Sequence, residues 1–285
     1  MKKNLIDLRD GLITRLFFIR GVSLIFNMNL KQNLENHYKA FDRTKLEPDP
    51  LQFLHLFKYE RDIEVVGLIA SIFAYGNVKQ IENTLKKFIF VFDGKPYSFI
   101  KNFSLSKSPK KIAGIKHRFY SEDDIVKLFI ILNKEIKKYK SIKQIFLQGC
   151  NISDNNVKNA ISSFSNHFLN SFLETFGDIS DGIKFMFPLP EKGSACKRMN
   201  LYLRWMVRKD ELDFGLWDEI VPSKLVIPVD THIARICKTL KLTKRKNVSW
   251  QMAEEITKNL KKFDAEDPVK YDFAICHIGI RKLKF

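Results

Sequence analysis

The sequence predicts an all-α fold, on three observations. Apolar residues recur at helical spacing along most of the chain, no Pro/Gly-rich linker or internal repeat divides it, and 45% of its 285 residues are hydrophobic, enough to bury a substantial core. That length suits either one large domain or two helical lobes sharing a cleft.

Taken in order, residues 1–27 read as an N-terminal extension with little part in the fold. Lys2, Lys3 and the apolar stretch from Leu16 to Phe26 imitate a signal peptide. Arg20 interrupts that stretch, no small-residue cleavage site follows it, and it is too short to span a bilayer, so neither export nor membrane association is expected. From residue 28 to 285 a single helical domain is expected. Asp62 to Tyr75 predicts a helix, because Val65, Leu68, Ile69 and Ile72 fall on one face and Gly76-Asn77 supplies a stop. A second helix should begin at Val78. Further helices are predicted from Asp123 to Tyr139, Val157 to Phe176, Lys197 to Lys209, Thr231 to Leu240 and Trp250 to Phe263. Ile183 to Glu191, with Pro188 and Pro190, reads as an extended connector. Asp264 to Pro268 lacks the alternating oxygen ligands of a calcium loop and reads as a helix start, ahead of a final helix carrying Cys276 and His277.

The charge points to a partner. Against 32 Asp and Glu stand 49 Lys and Arg, a net +17, and each phosphate such a chain neutralises releases condensed counterions. Nucleic acid leads and an anionic membrane surface follows; the alternative is an AT-biased coding sequence whose lysines sit on solvated faces. Basic runs occur from Lys107 to Arg118, Lys134 to Lys143, Lys241 to Lys246 and Arg281 to Lys284, and each alone reads as a solvated surface. The four cysteines, Cys150, Cys196, Cys237 and Cys276, are far apart and form no metal-ligand spacing or iron–sulfur array. A reduced, cytoplasmic, monomeric protein without metal or cofactor is expected.

The most informative stretch runs from Leu189-Pro190-Glu191-Lys192-Gly193-Ser194-Ala195-Cys196-Lys197 through Arg208 to Pro228-Val229-Asp230-Thr231-His232-Ile233-Ala234-Arg235. A glycine-containing turn that opens a helix presents backbone N–H groups and the positive end of the helix dipole, which together hold a phosphate without reading its base. Met199, Tyr202, Leu203 and Met206 share one face of the helix that follows, so Lys197 should stand at the first turn of a packed element.

This stretch resembles the helix-hairpin-helix DNA glycosylase superfamily, with the hairpin near residues 185–208. Lys197 to Arg204 is similar to the lysine-bearing helix of archaeal-type 8-oxoguanine glycosylases, and Pro228 to Arg235 to the aspartate motif of endonuclease III relatives. Val66 to Ile81 resembles the early helix pair, and the whole looks like an uncharacterised bacterial branch. The resemblance implies a two-lobed helical glycosylase-like fold, discontinuous along the chain, and a double-stranded, damaged DNA partner. It further implies DNA contacts from Gly193, Ser194, Ala195, Arg198 and His232, and a catalytic pair of Lys197 and Asp230. Lys197 would be the nucleophile, its amine made neutral by burial, the helix N-terminus and nearby Arg198. Asp230 would stay ionised to face charge on the sugar, and equally suits a helix N-cap. A flipped base needs aromatic walls, for which Phe187, Trp217 and Phe273 are candidates, although with 25 phenylalanines in the chain each serves as well in the core. Two features depart from the usual pattern: the second hairpin glycine is Ala195, and the connection between lysine and aspartate is longer, so that residues 209–224 would rim the base pocket or close it. The implied activity is base excision of a damaged, oxidised base with apurinic-site lyase activity. The alternatives are a noncatalytic DNA- or RNA-binding protein of the same fold and a helical interaction protein.

Overall fold

The computed structural model describes residues 29–104 and 109–280; the extension over 1–27 and the run from Arg281 to Lys284 lie outside the described residues. Among those described there is no strand, only two isolated bridges, His117 with Tyr120 and Lys209 with Phe214. The helices are α1 (29–39), α2 (Glu60–Phe73), α3 (Val78–Phe92), α4 (Pro96–Lys101), α5 (Pro109–Ile112), α6 (Glu122–Tyr139) and α7 (Ile142–Leu147). They continue as α8 (Lys158–Phe176), α9 (Asp181–Met186), α10 (Lys197–Val207), α11 (Thr231–Thr239), α12 (Trp250–Leu260) and α13 (Asp272–Ile280).

The axis of the molecule is α2. From Asp62 to Phe73 every residue is buried, because a helix apolar on all sides can only be shielded by neighbours on all sides. It stops where the sequence places the stop: Gly76 takes φ +97° and the Asn77 side chain caps α3 by accepting from Lys79 N–H. Gly67 lets α2 lie against α10, since a Cβ there would stand 3.0 Å from Tyr202 and 3.1 Å from Met206. Within this apolar helix Glu64 is a buried carboxylate. It accepts from Ile142 N–H at 3.2 Å and from Trp217 Nε1–H at 3.0 Å, and burial pushes its pKa up.

Helix α10 is not the amphipathic element its periodicity predicts. Arg198 through Val207 are all buried, the polar members included. What permits this is pairing: Arg204 Nη1 donates to Asp272 at 2.5 Å, and Arg208, just past the helix end, meets Asp210, Asp213 and Asp267. Residues 209–224 do not line the large cleft that holds Lys197. They fold behind α10, with Trp217 fully buried between Tyr202 and Phe146 at ring separations of 5.2 and 5.4 Å.

Two loop assignments change. Ile183 to Glu191 is not wholly extended: α9 covers its start, capped by Ser180 Oγ, and a 3-10 turn over Pro190–Lys192 ends it. A six-residue helix containing Gly182 and followed by two prolines leaves too little periodicity to be seen in sequence. Asp264 does not start a helix but closes a turn, accepting from the N–H groups of Glu266 and Asp267. No helix among the described residues is long and apolar enough to cross a membrane.

Candidate functional site

A cleft of about 1010 Å3 opens between the end of α2, the turn before α10, and the starts of α11 and α13. Six basic side chains and three carboxylates line it. At its wall Lys197 Nζ lies 2.8 Å from Asp230 Oδ2, with each side chain about one-third exposed.

Asp230 serves two ends with two oxygens. Its Oδ1 accepts from His232 N–H and Ile233 N–H, both at 2.9 Å, and so caps α11, while Oδ2 holds the lysine. Burial raises its pKa, but the Lys197 ammonium and the two N–H donors outweigh burial and hold the carboxyl below its usual range. Lys197 mirrors this: burial draws its pKa down, yet the Asp230 charge and hydrogen bond, with the Asp272 charge added, more than cancel the effect and leave it raised. The neutral amine expected from burial and the helix terminus is therefore not the resting state. Nor does Arg198 assist, because its guanidinium is turned to Ile72 O at 3.0 Å, the Tyr120 hydroxyl and Phe185 O.

The turn before Lys197 is tight. Gly193 takes φ +84°, and Cys196, a non-glycine residue, takes φ +47°. Ser194 Oγ accepts from Cys196 N–H at 3.1 Å, and Gly193 O accepts from Trp250 N–H at 3.3 Å. Ser194 and Ala195 line the cleft, whereas Gly193 does not. Burial pushes the Cys196 thiol up to about 12, which makes it inert at neutral pH. His232 also lines the cleft; its Nδ1 lies 3.3 Å from Arg235 Nη2, and its Nε2 is shut off from solvent without a hydrogen-bond partner among the described residues.

The three aromatic candidates for a base pocket are core residues. Phe187 stacks on Phe168 at 4.7 Å, Trp217 sits behind α10, and Phe273 packs on Phe41 at 5.2 Å; none lines the cleft. The aromatic wall is made instead by Tyr75 and Phe185. Both were missed because in sequence the first reads as the end of an apolar helix, whereas it lies two residues beyond α2, and the second lies in α9. Of the basic runs, only Arg118 reaches the cleft among the described residues. Asp49, Asp272 and Cys276 also line it, and the charge of Asp272 helps to raise the Lys197 pKa. Asp49 and Asp272 each open a helical turn, Asp49 directly before Pro50, so capping was their only legible signal. No group of three or more His, Cys, Asp or Glu suited to a metal ion occurs among the described residues.

Gly76 controls the rim. A Cβ there would fall 2.6 Å from Arg118 Cδ, on a backbone at φ +97°. Gly76→Ala is expected to cost about 1–3 kcal/mol, a drop in Tm of roughly 3–10 °C, read by thermal melting; an unchanged Tm would show that Arg118 yields freely.

Residues 49–281 match the family described as Protein of unknown function (DUF2400). No curated protein and no solved structure matches the chain. Since the family match spans α2 through α13 and contains both Lys197 and Asp230, the chain belongs to the DUF2400 family.

Proposed function

We propose that this chain is a helix-hairpin-helix DNA glycosylase with apurinic-site lyase activity, acting on a damaged, oxidised base in duplex DNA. The observation that carries the reading is the Lys197–Asp230 pair, 2.8 Å apart on the wall of a basic cleft large enough for a nucleoside. In support of the hairpin, α9 and α10 are joined by residues 187–196, which turn through two left-handed residues, Gly193 and Cys196, the second directly before the lysine.

The pair suits the chemistry as follows. Asp230, ionised, faces positive charge as it develops on the sugar while the base departs with the bonding electrons. Lys197 Nζ, once its ammonium proton has passed to solvent, then bonds to C1′, while Asp230 Oδ2 at 2.8 Å holds the side chain in place. Loss of the ring oxygen from C1′ gives a Schiff base, and removal of a C2′ proton expels the 3′ phosphate. The test is borohydride trapping on an abasic-site duplex and on duplexes carrying common oxidised bases. A covalent adduct on the abasic duplex, and on at least one lesion duplex, is expected; no adduct on any of them sinks the reading.

One observation favours a second reading. The raised pKa of Lys197 keeps a cation on the cleft wall, which a noncatalytic DNA- or RNA-binding protein would use to hold a phosphate. In that case Lys197→Ala weakens binding modestly and reduces its salt dependence by about one phosphate contact.

A further inference from the structure

Beside the lysine–aspartate pair, the same cleft carries a second feature at its lip. The Phe119 ring is 64% exposed, and Phe185 39%. Phe119 lies nearly parallel to Tyr75, 6.1 Å apart with 11° between the planes, and Phe185 meets both rings edge-on at 5.7 and 4.9 Å. Arg118 lies over both parallel rings, 5.3 Å from the centre of Phe119 and 5.6 Å from that of Tyr75. Large aromatic faces left in water together with a guanidinium suit a flat, π-bearing ligand attached to negative charge.

The platform is rigidly built. Tyr75 Oη donates to His117 O at 2.7 Å and accepts from Phe119 N–H at 3.2 Å. The His117 ring is buried between Tyr75 O at 3.1 Å and Thr84 Oγ1 at 2.9 Å. Arg118 is held at φ +53° beneath the space that Gly76 leaves open, and Arg198 stacks under Phe185 at 4.1 Å while donating to its carbonyl. A left-handed, non-glycine residue fixed in this manner is strain retained at a place where side chains are aimed. Tyr75, Arg118 and Phe185 line the cleft that holds Lys197, and the net basic lining matches a phosphate-linked strand.

We propose that Phe119, Tyr75, Phe185 and Arg118 form a stacking platform that takes an unpaired nucleobase of the DNA strand entering the cleft, with Phe119 as its open face. Every base has a π-face, so the platform recognises the unpaired state and not the sequence. The inference shares with the proposed function only that the partner is DNA, and it requires no chemistry at Lys197.

Its test is equilibrium binding of the full chain to two fluorescein-labelled duplexes of equal length, one fully paired and one with five unpaired thymines at its centre. The wild type is expected to prefer the unpaired probe. Phe119→Ala should weaken binding to that probe by roughly 5- to 100-fold and leave the paired duplex within about twofold. Phe119→Trp should restore the preference, with quenching of the new indole's fluorescence as thymine stacks on it. Equal weakening on both probes, no weakening on either, or failure of the Phe119→Trp chain to recover the preference overturns the platform. The borohydride assay separates the two proposals: a preference for the unpaired probe in a wild type that gives no adduct supports the platform and removes only the glycosylase.

Discussion

Lys197→Ala is expected to lose the borohydride-trapped adduct by at least about a thousandfold while keeping duplex binding within a few-fold, because the side chain it removes is the nucleophile of the proposed reaction and only one of six basic groups in the cleft. Asp230→Asn gives the complementary result. An asparagine oxygen can still accept from His232 and Ile233, so the cap on α11 and the fold are retained. Its other atom no longer carries charge toward Lys197. With the carboxylate gone, burial is the main influence left on the amine, so the Lys197 pKa, raised in the wild type, falls. The sign of the pH effect follows. In the wild type, adduct formation on an abasic site should climb as the pH rises toward the raised lysine pKa; in Asp230→Asn the same climb moves to lower pH. Excision of an intact damaged base moves the other way, falling by about 100- to 1000-fold, since nothing then faces the cationic sugar. Rates of adduct formation and base release between pH 6 and 10 read both. Parallel loss of the two activities, or an unmoved abasic-site profile, would show that Asp230 does not govern the lysine's proton.

The same pair fixes where folding depends on pH. The raised lysine contributes stability below its unfolded pKa and loses it as pH rises through the folded value. The lowered aspartate contributes above its unfolded pKa and loses it as pH falls through the folded value, so the contribution is present across the neutral range.

The largest effect on stability is expected at Arg208. This side chain is 3% exposed and pairs with Asp210, Asp213 and Asp267, while Asp213 is also approached by Arg204 at 3.3 Å. Burial pushes the Asp213 carboxyl up, to about 6, against the pull of both guanidiniums, which leaves it ionised at neutral pH. Arg208→Met fills similar volume but strands that carboxylate beside one remaining arginine. Breaking a buried ion network from one side costs about 3–5 kcal/mol, and for a domain of this size the Tm should fall by roughly 6–20 °C. A melt within 2 °C of wild type would show that water reaches the network. The loss should shrink toward pH 5, where protonation of Asp213 removes the stranded charge.

What the sequence alone determined was local. Helical period, caps and stops placed α2, α3, α6, α8, α10, α11 and α12 within a few residues, because each is long or carries a local signal such as Gly76-Asn77 or Asp230 before Thr231. Asp230 and Lys197 were legible as helix starts for the same reason, but as a pair only through the resemblance of their segments to a known family. Tertiary structure alone decided which distant residues share a space. Phe187, Trp217 and Phe273 read as pocket walls by type, yet packing places all three in the core, while Tyr75, Arg118 and Phe185 reach the cleft from three separate segments. The protonation of Lys197 was decided there too. Burial and a helix terminus favour the neutral amine, but with a carboxylate brought to 2.8 Å from 33 residues along the chain, and the Asp272 charge added, the net result is a raised pKa, and contacts of that kind leave no trace in local sequence.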